Sequence, residues 1–172
     1  MDFIPKADWK WVYDHSKGTL SVVDRDRTFS LAYQKNMLLL KESQILDFSV
    51  ADVTRYIELF DSPSLIHFEE PIRARIILHL LAFDIFHKPI MPKSWLFKTV
   101  EHIEDNYEYG EQVILTSLDA EETAQFMILE QDSDFCLCML LDKFHFITST
   151  KKLKQFQLMK VTVDKLTRVT QA

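Results

Sequence analysis

A stiff segment near the middle of the chain, residues 88–97 (KPIMPKSWLF), constrains the fold more than any other feature. A long apolar pattern with helical spacing ends at His87, and Pro89 and Pro92 then hold the backbone in an extended exit. Such a rigid connector is typical of a junction between two domains. It also carries two lysines, a methionine and a tryptophan, and basic groups around exposed apolar ones suit a peptide that is both acidic and apolar.

The hydrophobic pattern differs on the two sides of this segment. Before it, alternating apolar residues predict a strand hairpin over residues 9–23, and helical spacing predicts helices from Ser49 and Glu69. After it, short apolar runs separated by turn residues predict a series of strands. We therefore expect an α+β fold, with an N-terminal α/β domain over residues 1–88 and a C-terminal, mostly β, twisted barrel-like domain over residues 89–172.

Several local signals sharpen these expectations. Ser49 and Asp52 have the spacing of a helix capping box, and Pro71 after two glutamates suits the first turn of a second helix. That helix is apolar on several sides, which predicts the central core element of the N-terminal half. The run 135–141 is apolar on both faces and should be an interior strand. The strands expected after the connector cover residues 95–100, 112–115, 124–129, 135–141, 144–148 and 156–159.

Composition excludes several classes of function. The 172 residues include only two glycines, Gly18 and Gly110, whereas a Gly-rich phosphate cradle needs several. A net charge of −6 argues against nucleic acid as a partner. The six histidines form no HExxH pattern and no Cys/His cluster has zinc spacing, so we predict no metal site, no cofactor and no enzymatic activity.

The sequence also indicates a compartment. The N-terminus lacks a basic-then-apolar signal pattern, and the two cysteines, two positions apart on a predicted strand, do not bridge easily. We therefore expect a cytoplasmic protein with reduced thiols. The longest apolar stretch, residues 76–86, is interrupted by His79 and Asp84 and is too short to span a bilayer, so no membrane insertion is expected.

Charge is distributed unevenly along the C-terminal half. Residues 101–142 contain twelve acidic residues and no lysine or arginine, whereas the chain from residue 143 onward contains seven basic residues and one acidic residue. For most of these charges we favour pairing between the two segments, which is weak at a surface. The alternative is a basic patch that contacts a partner.

Aromatic and apolar residues near the N-terminus have two interpretations. Trp9 and Trp11 alternate on a predicted strand, with Leu20 and Val22 on its partner strand. Core packing is one interpretation and the better one for at least one tryptophan. An open, aromatic-floored binding pocket is the other. Lys88 and Lys93 are either plain solvated lysines or rigidly placed binding residues, and we favour binding because of the flanking prolines.

Three motifs resemble the ZapC family of cell division proteins, which associate with the Z-ring. Residues 9–14 (WKWVYD) resemble the family's W-x-W-x-Y-D, and residues 88–95 (KPIMPKSW) resemble its K-P-x-M-P-K-S-W. Residues 164–166 (DKL) resemble a C-terminal Asp-Arg-Leu, with Lys165 in place of arginine. The resemblance extends over nearly the whole chain, although residues 110–150 match only in pattern.

The resemblance implies a non-enzymatic protein that binds FtsZ, the tubulin-like GTPase of the division ring. It implies that the protein stabilises the ring at midcell by promoting lateral association of FtsZ protofilaments, through the filament core and the acidic and apolar C-terminal tail of FtsZ. Two pockets are implied, one per domain, and we expect a monomer to contact two filaments with them. The residues implied are Lys88, Lys93, Trp95 and Lys165 in a basic and apolar C-domain pocket, and Leu20, Val22, Trp9 and Trp11 in an apolar N-domain pocket.

Two rival hypotheses remain open at this point. One is a cytoplasmic adaptor of the same fold that binds a different acidic and apolar peptide. The other is a hydrolase with Cys136 as nucleophile and a distant histidine as base, although nothing near Cys136 in the sequence supports it.

Overall fold

The structure, a computed structural model, describes residues 3–169. Over these residues the chain forms two α-helices and eleven strands, and it divides into two compact units, one ending at Pro89 and one beginning at Ile90. The predicted α+β class with a β-rich C-terminal part is confirmed. The first unit contains β1 (Lys10–Asp14), β2 (Thr19–Asp24), β3 (Arg27–Ser30), β4 (Gln44–Asp47), α1 (Val50–Phe60) and α2 (Glu70–Phe86).

The sheet of the first unit is antiparallel, in the order β3-β2-β1-β4. The predicted hairpin is confirmed as β1 and β2, with Trp11 opposite Val22 and Tyr13 opposite Leu20. All four side chains are buried, because alternate residues of paired strands share one face of the sheet. The helices supply the other half of this core.

Both helices begin where their caps predict. The Ser49 hydroxyl accepts the Asp52 backbone N–H at 3.1 Å, and the Asp52 carboxylate accepts the Ser49 N–H at 2.9 Å. Pro71 lies in the first turn of α2, where its missing N–H costs no helical bond. Nearly all of α2 between Arg73 and Ala82 is buried, so α2 is the core element that its apolar pattern predicts.

A buried arginine fixes the connection between the helices. The Arg73 guanidinium donates to the backbone carbonyls of Phe60 at 3.2 Å, Ile66 at 3.1 Å and Phe68 at 2.9 Å. It also lies 4.5 Å from the centroid of the Phe60 ring. These bonds satisfy carbonyls at the end of α1 and hold the loop onto α2.

The second unit is built on an antiparallel sheet in the order β10-β7-β6-β5-β11. β7 lies between β6 and β10 and is buried, which confirms the predicted interior strand. Within the described residues the sheet keeps β10 and β11 as outer strands and does not close into a barrel. A separate ribbon pairs β8 with β9. These elements are β5 (Gln112–Thr116), β6 (Thr123–Asp132), β7 (Phe135–Leu140), β8 (Phe144–Phe146), β9 (Lys152–Lys154), β10 (Leu158–Thr162) and β11 (Thr167–Arg168).

Two local predictions for the second unit are wrong, and one strand is missing from the predictions. Residues 95–100 are not a strand: the chain makes a single 3-10 turn, Ser94–Leu96, followed by one isolated bridge at Phe97. The strand expected from residue 156 begins at Leu158, because Phe156 has a φ of +73°, which is outside the β region. Strand β9 was not predicted, since its lysine-rich sequence lacks strand composition.

Candidate protein-binding surfaces

Residues 91–99 cross the second unit as an irregular segment, which we call the Trp95 segment. The backbone N–H of Lys93 donates to the Lys160 carbonyl at 2.9 Å. The backbone N–H of Thr162 donates to the Ser94 hydroxyl at 2.8 Å. Because Lys160 and Thr162 belong to β10, one side of the segment is fastened to the edge of the sheet.

The other side of the Trp95 segment is bonded to the end of β5 and the loop after it. The N–H of Leu118 donates to the Leu96 carbonyl, and the N–H of Lys98 donates to the Thr116 carbonyl, both at 2.8 Å. The Phe97 ring is 1% exposed and belongs to the core of the second unit. The backbone on either side of Trp95 is therefore fixed by hydrogen bonds and by a buried ring.

The Trp95 side chain is exposed in spite of this fixed backbone. Trp95 is 68% exposed and Met91, four residues earlier, is 73% exposed. Exposed tryptophans are frequent anchors at interfaces, and a fixed backbone lowers the entropy lost on binding. Trp95 is thus a large apolar side chain displayed on a rigid support.

Two of the predicted lysines flank Trp95 in the second unit. Lys93 is exposed, and the ammonium group of Lys165 donates to the Thr99 hydroxyl at 2.6 Å. Lys93 and Trp95 thus lie on the Trp95 segment, and Lys165, far away in sequence, is bonded to Thr99 of the same segment. We call these three residues, with Met91, the Trp95 surface.

Lys88 lies in the first unit, in a groove with an apolar lining that we call the Lys88 groove. Leu39 in this groove is 54% exposed, while Leu38 is buried. The groove has a volume of about 710 Å³. Three exposed lysines and three leucines are its main features, and its lining comprises His15, Gln34, Lys35, Asn36, Leu38, Leu39, Leu40, Lys41 and Lys88.

A short antiparallel ladder supports the Lys88 groove. The backbone N–H of Lys88 donates to the Met37 carbonyl at 2.8 Å, and the N–H of Leu39 donates to the Phe86 carbonyl at 2.7 Å. The ladder ties the chain after α2 to residues 37–39. Lys88 is therefore placed by hydrogen bonds to a neighbouring segment as well as by the prolines that follow it.

Sequence reasoning missed Lys35 and Lys41 as members of this groove. The sequence of residues 36–40 predicts neither a helix nor a strand, and nothing in it assigns a role to the two lysines. A sequence signal of this exposed apolar and basic site does exist. Three consecutive leucines are followed by a lysine, in a stretch without helical or strand periodicity.

The residues predicted for an N-domain apolar pocket are all buried: Trp9, Trp11, Leu20 and Val22. The Trp9 ring lies 5.8 Å from the Tyr56 ring of α1, and the Trp11 ring lies 5.3 Å from the Phe86 ring of α2. The Trp11 indole N–H also donates to the Asp52 carboxylate at 3.1 Å. In this structure they join the sheet to the helices, which agrees with the core-packing interpretation, and their part in binding stays a prediction.

The geometry around Cys136 does not favour nucleophilic chemistry. Both cysteines are buried and unbridged. Burial raises the pKa of Cys136 to about 11, and burial also raises the pKa of Cys138 well above its ordinary value. Burial also lowers the pKa of His145, whose Nε2–H donates to the Glu122 carbonyl at 2.8 Å. A thiol with a raised pKa is a poor nucleophile at neutral pH.

Residues 3–169 contain no cluster of three or more histidine, cysteine, aspartate or glutamate side chains that could hold a metal ion. In the same part of the chain no helix has both the length and the apolar character needed to cross a membrane. The sites that combine exposed apolar residues with the predicted lysines are therefore the Lys88 groove in the first unit and the Trp95 surface in the second.

Comparison with known protein families shows to which family the chain belongs. A family model described as "Cell-division protein ZapC, N-terminal" matches residues 2–88, and one described as "Cell-division protein ZapC, C-terminal" matches residues 89–172. The chain belongs to the ZapC family. The two ZapC models together cover both structural units, so the resemblance seen in the three motifs is confirmed.

Individual ZapC proteins are similar along almost their whole length. The cell division protein ZapC of Psychromonas ingrahamii is 39% identical over 166 residues, which are 96% of this chain and 88% of that protein. The ZapC of Pseudoalteromonas atlantica is 30% identical over 168 residues, covering 95% of this chain and 92% of the relative. The ZapC of Photobacterium profundum is 28% identical over 166 residues, which are 95% of this chain and 90% of that protein. Their names identify cell division proteins.

Proposed function

We propose that this chain binds FtsZ and stabilises the Z-ring by promoting lateral association of FtsZ protofilaments, without catalysing a reaction. Membership of the ZapC family of cell division proteins supports the cellular process. The protein acts in the cytoplasm at midcell, as a monomer that contacts the filament core and the C-terminal tail of FtsZ.

One observation carries the proposal: a tryptophan that is 68% exposed stands on a segment fixed by hydrogen bonds along both sides. An indole exposed to water forgoes the favourable free energy of burial, and the hydrogen bonds on both sides of the segment fix the backbone that carries it. Trp95 is therefore the anchor that we assign to the partner.

The chemistry of the Trp95 surface matches a segment that is both acidic and apolar, as the FtsZ tail is. Lys93 and Lys165 attract and hydrogen-bond carboxylates, while Trp95 and Met91 cover apolar side chains. Lys165 stands where the family has arginine, and an ammonium group lacks the bidentate geometry of a guanidinium. Its contribution is thus a point charge, held in place by Thr99.

Bundling requires contact with two filaments, and the chain offers one exposed apolar and basic site in each unit. The Lys88 groove supplies the second contact, and it lies in the same unit as the buried residues Trp9, Trp11, Leu20 and Val22. Each contact can be weak, because repeated sites along a polymer add avidity.

Co-sedimentation with GTP-polymerised FtsZ, with and without the FtsZ tail, tests the proposal. We expect the protein to pellet with the filaments and to thicken them in electron micrographs. Pelleting should decrease on removal of the tail and as salt rises, because exposed charges are screened. GDP-bound, unpolymerised FtsZ is the control. If the protein stays in the supernatant at all salt concentrations, FtsZ binding is excluded and an adaptor for another acidic peptide takes its place.

A further inference from the structure

The β8–β9 ribbon presents an exposed face of two aromatic rings and two lysines. In its antiparallel register Phe144 is opposite Lys154 and Phe146 is opposite Lys152. Because side chains alternate along a strand, these four residues share one face. His145, which lies between the two phenylalanines, is buried on the other face. The exposed face is therefore defined by the pairing of the strands.

The two phenylalanines contribute little to the core. Phe144 is 47% exposed and Phe146 is 37% exposed, whereas Phe126 in the neighbouring β6 is fully buried. The Lys152 ammonium lies 4.0 Å from the centroid of the Phe144 ring and 5.8 Å from that of the Phe146 ring. A cation held against two exposed rings forms a combined apolar and positive surface.

The charge of this region is opposite to that of the whole chain. Residues 143–154 contain four lysines and no aspartate or glutamate, in a chain with a net charge of −6. The carboxylate that precedes the ribbon, that of Asp142, accepts the Gln125 backbone N–H at 2.9 Å. The ribbon is thus a local site of positive charge on a mostly acidic protein.

We propose that this face of the β8–β9 ribbon docks an extended peptide segment of a partner protein in which carboxylates and apolar side chains occupy every second residue in turn, so that both kinds lie on the same face of the peptide. Side chains on one face of an extended peptide repeat about every 6.8 Å, the same spacing as Phe144 and Phe146 on their strand. Carboxylates of the peptide meet Lys152 and Lys154, and its apolar side chains cover the phenylalanine rings. This docking site consists of other residues than the Trp95 surface and does not depend on FtsZ as the partner, although the Phe97 ring of the Trp95 segment lies 5.9 Å from the His145 ring on the buried face of the ribbon.

The shape of the ribbon favours a peptide over an anionic membrane. Insertion into a bilayer places apolar side chains at a protruding tip, but the tip between the strands, residues 147–151 (ITSTK), has a buried isoleucine followed by polar residues. The aromatic rings lie on the flat face of the ribbon instead. A strand-like peptide covers a flat face along its whole length.

Nuclear magnetic resonance titration of the full ¹⁵N-labelled protein tests the proposal. The probe is a synthetic octapeptide, Glu-Ser-Leu-Ser-Glu-Ser-Leu-Ser, in which glutamate and leucine share one face of the extended chain. We expect the changes in amide chemical shift to cluster at residues 143–154. Binding at the Trp95 surface would instead change the chemical shifts of residues 91–99. Phe144→Ser with Phe146→Ser, and independently Lys152→Gln with Lys154→Gln, should each raise the dissociation constant at the ribbon by at least about tenfold.

A control variant changes one exposed apolar residue and one exposed lysine outside the ribbon. Ile103, which is 47% exposed, becomes serine together with Lys17→Gln, and peptide binding at the ribbon should be unchanged. Absence of shifts at residues 143–154, or equal binding by wild type and both ribbon variants, would overturn the proposal. Shifts caused by phosphatidylglycerol vesicles but not by the peptide would assign the face to a membrane and would also overturn it.

Discussion

The backbone N–H of Thr162 donates a hydrogen bond of 2.8 Å to the hydroxyl oxygen of Ser94, and the Thr162 hydroxyl lies 3.1 Å from the same atom. Ser94 immediately precedes Trp95. A residue of β10 thereby holds the turn that displays the exposed indole, and the position of the proposed anchor depends on a side chain that does not itself contact the partner.

Ser94→Ala should loosen this turn. We expect the free energy of unfolding to fall by about 1 kcal/mol, because the Thr162 N–H loses its acceptor, and FtsZ binding to weaken by a similar amount. Chemical denaturation and a binding titration measure the two effects. Ser16→Ala, which removes an exposed hydroxyl bonded to Asp14, is the control and should change neither. Full binding by the Ser94 variant would show that the turn needs no such support.

Trp95→Ala should mainly weaken FtsZ binding, whereas Trp11→Ala should mainly lower the free energy of unfolding. Trp95 is 68% exposed, so its loss should change the free energy of unfolding by less than about 0.5 kcal/mol while weakening FtsZ binding by about 2 kcal/mol. Trp11 is 2% exposed, so its loss should cost about 3–5 kcal/mol of stability. Denaturation curves with parallel co-sedimentation distinguish these outcomes. Equal destabilisation by both changes would contradict the assignment of Trp95 to a surface.

Charge reversal at Lys88 and Lys93 should weaken FtsZ binding without unfolding the protein. Both side chains are exposed, so Lys88→Glu with Lys93→Glu should reduce binding on the order of tenfold at low salt and less at high salt. The single variants separate the Lys88 groove from the Trp95 surface. Lys17→Glu is a control at another exposed lysine. Unchanged binding by the double variant in a sedimentation assay would remove both lysines from the site.

His79 should make the protein less stable in mild acid. The ring is buried, accepts the Ala32 N–H at Nε2 at 2.9 Å, and has Nδ1 2.6 Å from the Arg75 carbonyl, so Nδ1 carries the proton of a neutral ring. Burial lowers the pKa of His79 from 6.5 to about 3. Between these values the unfolded chain binds a proton that the folded chain does not, so stability falls as pH decreases below 6.5.

The size of this effect can be isolated by substitution. From about pH 7 to about pH 5, wild type should lose about 2 kcal/mol more unfolding free energy than His79→Gln, whatever the stability of that variant at neutral pH. Denaturant titrations at the two pH values give the difference. Parallel pH dependence in the two proteins would mean that His79 does not stay neutral in the fold.

The buried thiols should be unreactive and dispensable for binding. Because burial raises the pKa of Cys136 to about 11, the native protein should react slowly with a thiol reagent, and rapidly only once unfolded. Cys136→Ala should leave FtsZ co-sedimentation unchanged, at a cost of about 1–2 kcal/mol in stability. Loss of co-sedimentation by a folded Cys136 variant would revive the nucleophile hypothesis.

The parts of the fold that could be predicted are those determined by local sequence. The Ser49 and Asp52 capping box and Pro71 place the two helix starts, because cap geometry needs only residues within one turn. The β1–β2 hairpin follows from alternation around a turn that contains Gly18 at a φ of +65°. Residues 95–100 (WLFKTV) begin with an apolar run that is also typical of a strand, yet hydrogen bonds to β10 and to the end of β5 hold them outside a regular strand.

The candidate site could be predicted only in part, because burial depends on distant segments. Trp11 and Trp95 both lie in segments predicted as strands, but Phe86 of α2 packs against Trp11, whereas Trp95 is left exposed. Lys88 and Lys93 are close along the chain, yet the division at Pro89 places them in different units. The Thr99 hydroxyl that holds Lys165 could be found only from the folded structure.

Intrinsic fluorescence gives the most direct test of Trp95 as the anchor for FtsZ. Trp9 and Trp11 are buried and Trp95 is 68% exposed, so the long-wavelength part of the emission arises from Trp95. Titration with an FtsZ tail peptide that lacks tryptophan should shift the emission to shorter wavelength as Trp95 becomes buried, and Trp95→Phe should abolish the shift. An unchanged spectrum at peptide concentrations that saturate binding, or the same shift in Trp95→Phe, would contradict the account.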